Sequence, residues 1–159
     1  MINQMFNSEL INLQANVDDE QQLFDLIGSD VIRKGYAKLG YISGLEKREL
    51  SYPTGLQFPD IPVALPHVDS KYIAKAFIYI ARTKNVIKVK QMGDGREMTT
   101  NNFLFLGIKD ASKQPTLLAN MMNAFQNKNF VERFLSVNSR DEMFNLVTAT
   151  FTKIEIETN

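Results

Sequence analysis

The chain has 159 residues, with 18 Lys and Arg against 18 Asp and Glu, no cysteine, no tryptophan and a single histidine, His67. Without cysteine there is no disulfide scaffold, no Cys nucleophile, no zinc ribbon and no iron–sulfur cluster, and one imidazole cannot build the multi-histidine sites of most catalytic zinc enzymes. A formal net charge of zero argues against a nucleic-acid binder, which carries a basic excess.

Lys84, Lys88, Lys90 and Arg96 form a locally basic stretch, but Asp94 and Glu97 interrupt it, and it reads as a solvated face. No apolar run approaches the roughly 20 residues of a membrane span. Met1 to Leu10 lacks the charged-then-apolar order of a signal peptide, so the expected location is cytoplasmic. No Pro/Gly/Ser-rich linker divides the sequence, which predicts one domain over 1–159.

Leu10 to Leu13 reads as a first strand. A helix is predicted from about Asp18–Glu20, with Leu23, Leu26, Ile27, Val31 and Ile32 at the spacing of one buried face and Gly35 and Gly40 as stops. Ser43 and Glu46 have the S-x-x-E spacing of a capping box, predicting a second helix from Ser43 to about Ser51, ended by Pro53. A turn region rich in Pro and Gly runs from Tyr52 to Pro62, and Val63 to Leu65 is a short strand. Ala74–Ala81 and Val86–Lys90 read as two further strands separated by a break, followed by a turn at Gly93-Asp94-Gly95.

Asn102–Ile108 is nearly all apolar, the pattern of a central strand covered on both faces. Pro115 suits a first helical position, and Leu117, Leu118, Met121, Met122 and Phe125 form a wide apolar stripe. Phe130, Phe134 and Leu135 predict a short helix. Ser139 and Glu142 form a second capping box ahead of Met143, Phe144, Leu146 and Val147. Phe151–Ile156 alternates enough to be a late strand. The fold class expected is a layered α/β domain, a mixed central sheet flanked by helices.

The unusual residues concentrate in Arg48-Glu49-Leu50-Ser51-Tyr52-Pro53-Thr54-Gly55 and Val63-Ala64-Leu65-Pro66-His67. His67 follows a strand and a proline, so it falls at a strand end, where ligand groups collect in α/β sheets. A neutral imidazole has one unprotonated nitrogen and can act as a nucleophile. A phosphohistidine formed there is an anion and needs donors. Arg48 offers a permanently charged fork, Thr54 a hydroxyl, and Gly55 a closely approaching backbone N–H. Each residue also has a plainer reading: His67 bonded to loop backbone, Arg48 paired with Glu46 or Glu49 on a helix surface, Thr54-Gly55 as a simple turn.

RELSYPTGL followed by VALPHVD resembles the signature of the fructose/mannitol/nitrogen-type enzyme IIA domains of the bacterial sugar phosphotransferase system. Arg48, Glu49, Pro53, Thr54, Gly55, Ala64, Leu65, Pro66 and His67 are the matching positions. The Y-P-T-G-L form with L-P-H-V-D is most similar to the galactitol-type branch, and the order of elements matches over essentially the whole chain. The resemblance implies that phospho-HPr donates to His67 and that His67 passes the group to a IIB protein or domain, usually to a cysteine. Arg48 and Thr54 would lie beside the phosphoryl group, with Gly55 and Gln114 in support.

Many relatives carry a second histidine just before the Leu-Leu helix, where this chain has Gln114, which can donate to a phosphate but carries no charge. Asp60 is the nearest acidic residue ahead of the apolar pair, without a clean register. No metal or organic cofactor is implied. The membrane component IIC would be met only indirectly. An apolar rim for docking is expected around Leu56, Phe58 or Val68.

Overall fold

The structure is a computed structural model and describes residues 2–158. Its strands are β1 (Phe6–Ala15), β2 (Gly55–Gln57), β3 (Pro62–Ala64), β4 (Phe77–Lys90) and β5 (Glu97–Gly107), and its helices are α1 (Glu20–Arg33), α2 (Tyr41–Ser51), α3 (Gln114–Gln126), α4 (Lys128–Ser136) and α5 (Arg140–Thr158). Short 3-10 turns lie at Ile2–Met5, Ser70–Tyr72 and Ala111–Lys113.

The strands form one mixed sheet in the order β1-β4-β5-β3-β2. β1 runs parallel to β4 and β3 parallel to β5, while β4/β5 and β2/β3 are antiparallel. This is the layered α/β arrangement expected. Alternation along the central strands divides the core in two. Ile78, Ile80, Leu104 and Leu106 face α3, α4 and α5. Phe77, Tyr79, Ala81, Phe103 and Phe105 face α1 and α2. Both faces of β5 are therefore covered, which is why Phe103–Ile108 is buried throughout.

α1 begins where the Asp19 carboxylate accepts the Gln22 N–H and ends at Gly35, whose φ of 84° permits the closing bonds Gly35 N–H to Ile32 C=O and Tyr36 N–H to Val31 C=O, a Schellman stop. Gly40 is not a second stop: it is the N-cap residue of α2. That helix starts at Tyr41, ahead of the predicted Ser43, so Ser43 lies inside the first turn and the capping box is not formed. The second box is formed on its serine side, with Ser139 Oγ accepting the Glu142 N–H at 3.1 Å.

β4 is one strand rather than two. Its pairing with β5 shifts register between Arg82↔Asn102 and Ile87↔Thr100, and the bulge between them breaks the alternation seen in the sequence. The predicted late strand Phe151–Ile156 lies within α5. Phe151 and Ile154, three residues apart, extend the buried face of Met143, Leu146 and Val147, and that three–four spacing outweighs the local alternation. β1 is longer than the predicted Leu10–Leu13 at both ends.

Candidate functional site

On a helix, consecutive residues point about 100° apart, so α2 sends Arg48 and Glu49 to different surroundings. Tyr41, Leu45 and Glu49 form its buried stripe at four-residue spacing. A glutamate on such a stripe needs donors, and Thr54 supplies them. Its N–H donates to Glu49 Oε2 at 2.8 Å, and its hydroxyl donates to the same carboxylate at 2.9 and 3.2 Å. Glu49 is 8 % exposed. Burial raises its pKa, and the Thr54 bonds work against that rise.

From Thr54 the contacts continue to the histidine. The Leu65 N–H donates to the Thr54 carbonyl at 3.2 Å, and His67 Nδ1 lies 2.8 Å from the Leu65 carbonyl oxygen. A carbonyl can only accept, so this bond puts the proton of the neutral ring on Nδ1 and leaves the lone pair on Nε2. Among the described residues, Nε2 has no hydrogen-bond partner. The Pro66 carbonyl accepts the Leu106 N–H at 2.9 Å, which holds His67 beside the C-terminal end of β5. His67 is 5 % exposed. Burial lowers its pKa, the Leu65 bond opposes this, and the nearby Arg48 charge adds to the lowering, so the ring is neutral at pH 7.

Arg48 does not pair with Glu46 or Glu49. Its Nη1 lies 3.2 Å from Asp69 Oδ1, and its guanidinium sits 5.4 Å from the Tyr52 ring centre. Its Nε is buried without a partner. It borders a cleft of about 220 Å³ shared with Lys47, Ser51, Tyr52, Asp69 and Tyr72.

Gly55 is required by close packing. A Cβ there would lie 2.6 Å from the Lys90 carbonyl oxygen and 2.7 Å from Met98 Sδ, because the Gly55 carbonyl accepts the Met92 N–H at 2.8 Å across this contact. Gln114 opens α3, and no hydrogen bond joins its side chain to Arg48, Thr54 or His67. Asp60 is exposed in a turn. The expected rim is corrected: Phe58 and Val68 are buried, and Leu56 packs against the core. The exposed apolar side chains on and beside α2 are instead Leu39, Leu50 and Tyr52, at 87, 83 and 67 %.

Motif reading assigned roles to Arg48 and Thr54 but none to the residues that hold them, Glu49 and Asp69. The signal for Glu49 was its place four residues after Leu45 and eight after Tyr41. Asp69 carried none, since its partner lies 21 residues earlier. Glu20, at the start of α1, was also unmarked. Its carboxyl is pushed up to about 8 by burial and then by the Glu49 charge.

Residues 4–149 match the family model described as phosphoenolpyruvate-dependent sugar phosphotransferase system, EIIA 2. The galactitol-specific EIIA component of Escherichia coli is 23 % identical over 119 residues, 75 % of this chain and 79 % of that protein. Among solved structures, IIA of mannitol in its complex with phosphorylated IIB from Escherichia coli superposes with a TM-score of 0.73 at 17 % identity, covering 91 % of this chain and 99 % of that one. The nitrogen regulatory protein IIA-Ntr of Neisseria meningitidis superposes at 0.72 and 21 % identity, covering 94 and 98 %. With nearly the whole chain matched in sequence and the fold shared, the protein belongs to the EIIA 2 family of the phosphoenolpyruvate-dependent sugar phosphotransferase system.

Proposed function

We propose that this protein is a cytoplasmic phosphocarrier of a sugar or polyol phosphotransferase system, acting as one IIA domain over 1–159. Phospho-HPr donates to His67, and His67 passes the group to a IIB protein, of the galactitol-like kind and with cysteine as acceptor. IIC is served only indirectly. The observation that carries the reading is the 2.8 Å approach of His67 Nδ1 to the Leu65 carbonyl oxygen, which leaves Nε2 of the ring without a hydrogen-bond partner among the described residues.

In the first transfer, the Nε2 lone pair forms a bond to phosphorus while the bond between phosphorus and the donor breaks and its electron pair leaves with the donor. His67 keeps its Nδ1 proton, donated to the Leu65 carbonyl oxygen, throughout, so no base is needed. Arg48 offsets the charge of the transferring oxygens, and the chain otherwise acts by positioning. Thr54 and Gly55 shape the edge of the site. Gln114 is the uncharged counterpart of a second histidine.

The test is incubation with phospho-HPr. One acid-labile phosphoryl group per chain is expected on wild type and none on His67→Ala; a wild-type protein that stays unlabelled while a known IIA labels rejects the reading. The likeness to IIA-Ntr supports a second reading, a regulatory module whose phosphorylation state controls protein binding. Onward transfer to a galactitol-type IIB selects the transport role. Labelling with no onward transfer to any IIB selects the regulatory one.

A further inference from the structure

We propose that Glu49 is a positioning residue for His67, acting through Thr54 and the Leu65 backbone to hold the imidazole with Nε2 free. The inference rests on the reading of His67 as phosphoryl acceptor. Both oxygens of the Glu49 carboxylate are used, one by the Thr54 N–H and both by its hydroxyl. That fixes the Thr54 peptide, whose carbonyl takes the Leu65 N–H. The next peptide along that strand end presents the Leu65 carbonyl to His67 Nδ1. The histidine's tautomer and ring plane are therefore tied to a side chain that never meets the phosphoryl group.

Three features favour this over a role in stability alone. First, a charged group buried this far costs folding energy, and an apolar residue would continue the Tyr41–Leu45 stripe more cheaply. Second, the carboxylate's donors are confined to one residue of the site rather than spread over the core. Third, the surroundings keep Glu49 in the role of acceptor. Behind it lies a cleft of about 330 Å³, faced by Glu20 and Gln21 from α1, Glu46 from α2, Lys88 and Lys90 from β4, and Glu97 from β5. Glu20 holds its own proton there at neutral pH, so no second buried negative charge stands against Glu49.

The decisive variant is Glu49→Gln. It keeps the shape but offers one acceptor oxygen, and its NH2 group turns a donor toward the Thr54 donors. Labelling of His67 by phospho-HPr is expected to slow on the order of tenfold, the scale of a small misplacement of a reacting group. The loss should fall in kcat with KM for phospho-HPr unchanged, because Glu49 is buried away from the donor. In 15N-labelled wild type, the His67 ring is expected as a pure Nδ1–H tautomer. In Glu49→Gln it should become a mixture, with the thermal midpoint recorded as a control for folding. A wild-type ring protonated on Nε2, or a folded variant with wild-type kcat and an unchanged tautomer, overturns the proposal. The spectroscopic arm does not need phosphoryl transfer. If wild type fails to label, the phosphocarrier reading fails, while the ring tautomer still decides whether Glu49 positions His67.

Discussion

At the scale of single residues, burial raises the pKa of two neighbouring carboxyl groups, Glu20 and Glu49. Glu20 has a folded pKa of about 8 against an ordinary 4.5. The folded state therefore holds its proton more tightly than the unfolded chain, so this group's contribution to stability is complete below about pH 4.5 and is lost as pH rises toward 8. Glu20→Gln mimics the protonated form at every pH. The variant should match wild type near pH 4.5 and melt at a higher temperature at pH 8, and the gap between the two melting curves should open across that interval. His67, whose pKa is lowered, acts in the opposite sense below about 6.5, but it is present in both proteins and cancels in the difference. A constant gap from pH 4.5 to 8 would show that Glu20 does not titrate in that range. Gly55 makes a second prediction at this scale. Gly55→Ala pushes a methyl group into the Lys90 carbonyl, a backbone atom that moves only with β4. Overpacking of this kind costs about 1–3 kcal/mol, read as a lower denaturant midpoint with an unchanged slope.

Among the elements, the β4 bulge has a clear structural purpose. Arg82 lies just before it and reaches the end of α4, donating from Nη1 to the Val137 carbonyl at 2.8 Å and from Nη2 to the Phe134 carbonyl at 2.7 Å. These are carbonyls a helix end leaves without intrahelical partners. The bulge itself is stitched by Asn101 Nδ2, which donates to the Thr83 and Asn85 carbonyls, each at 3.0 Å. Arg82→Ala removes a charged donor from two carbonyls, at a cost of about 1.5–3 kcal/mol, and Lys should restore only part because it lacks the fork. Urea unfolding measures the loss. Faster amide exchange in α4 but not in α1 would locate it.

The same element shows what the sequence could and could not reveal. Ala74–Ala81 and Val86–Lys90 were legible as strands because β-branched and aromatic residues crowd them. Their union was not, because Asn101, the residue that bridges the bulge, lies on the neighbouring strand. The site divides along the same line. Arg48, Thr54 and His67 were legible as candidates because they sit in two short stretches, 48–55 and 63–67, with an ordered set of residue types. Glu49 lies in the first of these stretches and its spacing from Tyr41 and Leu45 marks its buried face, but its bond to Thr54 and the Asp69 contact with Arg48 depend on three-dimensional placement.

For the molecule as a whole, the first and last described elements are joined at the β1 edge of the sheet. α5 packs along β1, with the Phe6 and Phe151 rings 5.3 Å apart. Near its end, the Glu155 carboxylate accepts the N–H groups of Ile2 and Asn3, which open the first 3-10 turn and so lack partners of their own. This contact also explains why Phe151–Ile156 must be helical: a strand would carry Glu155 away from the amides it caps and Phe151 away from Phe6. β1 is an edge strand whose sheet neighbour is β4, so loosening its start has a short path along the sheet. β5, against whose Leu106 His67 is held, and β3 lie beyond β4. Glu155→Ala should therefore speed amide exchange at Asn3 to Phe6 while leaving Phe103–Leu106 at wild-type rates, and phospho-HPr should label His67 at an unchanged rate. If exchange rises equally in β5, or labelling slows, β1 and β5 open as one cooperative unit and the edge strand does not loosen independently.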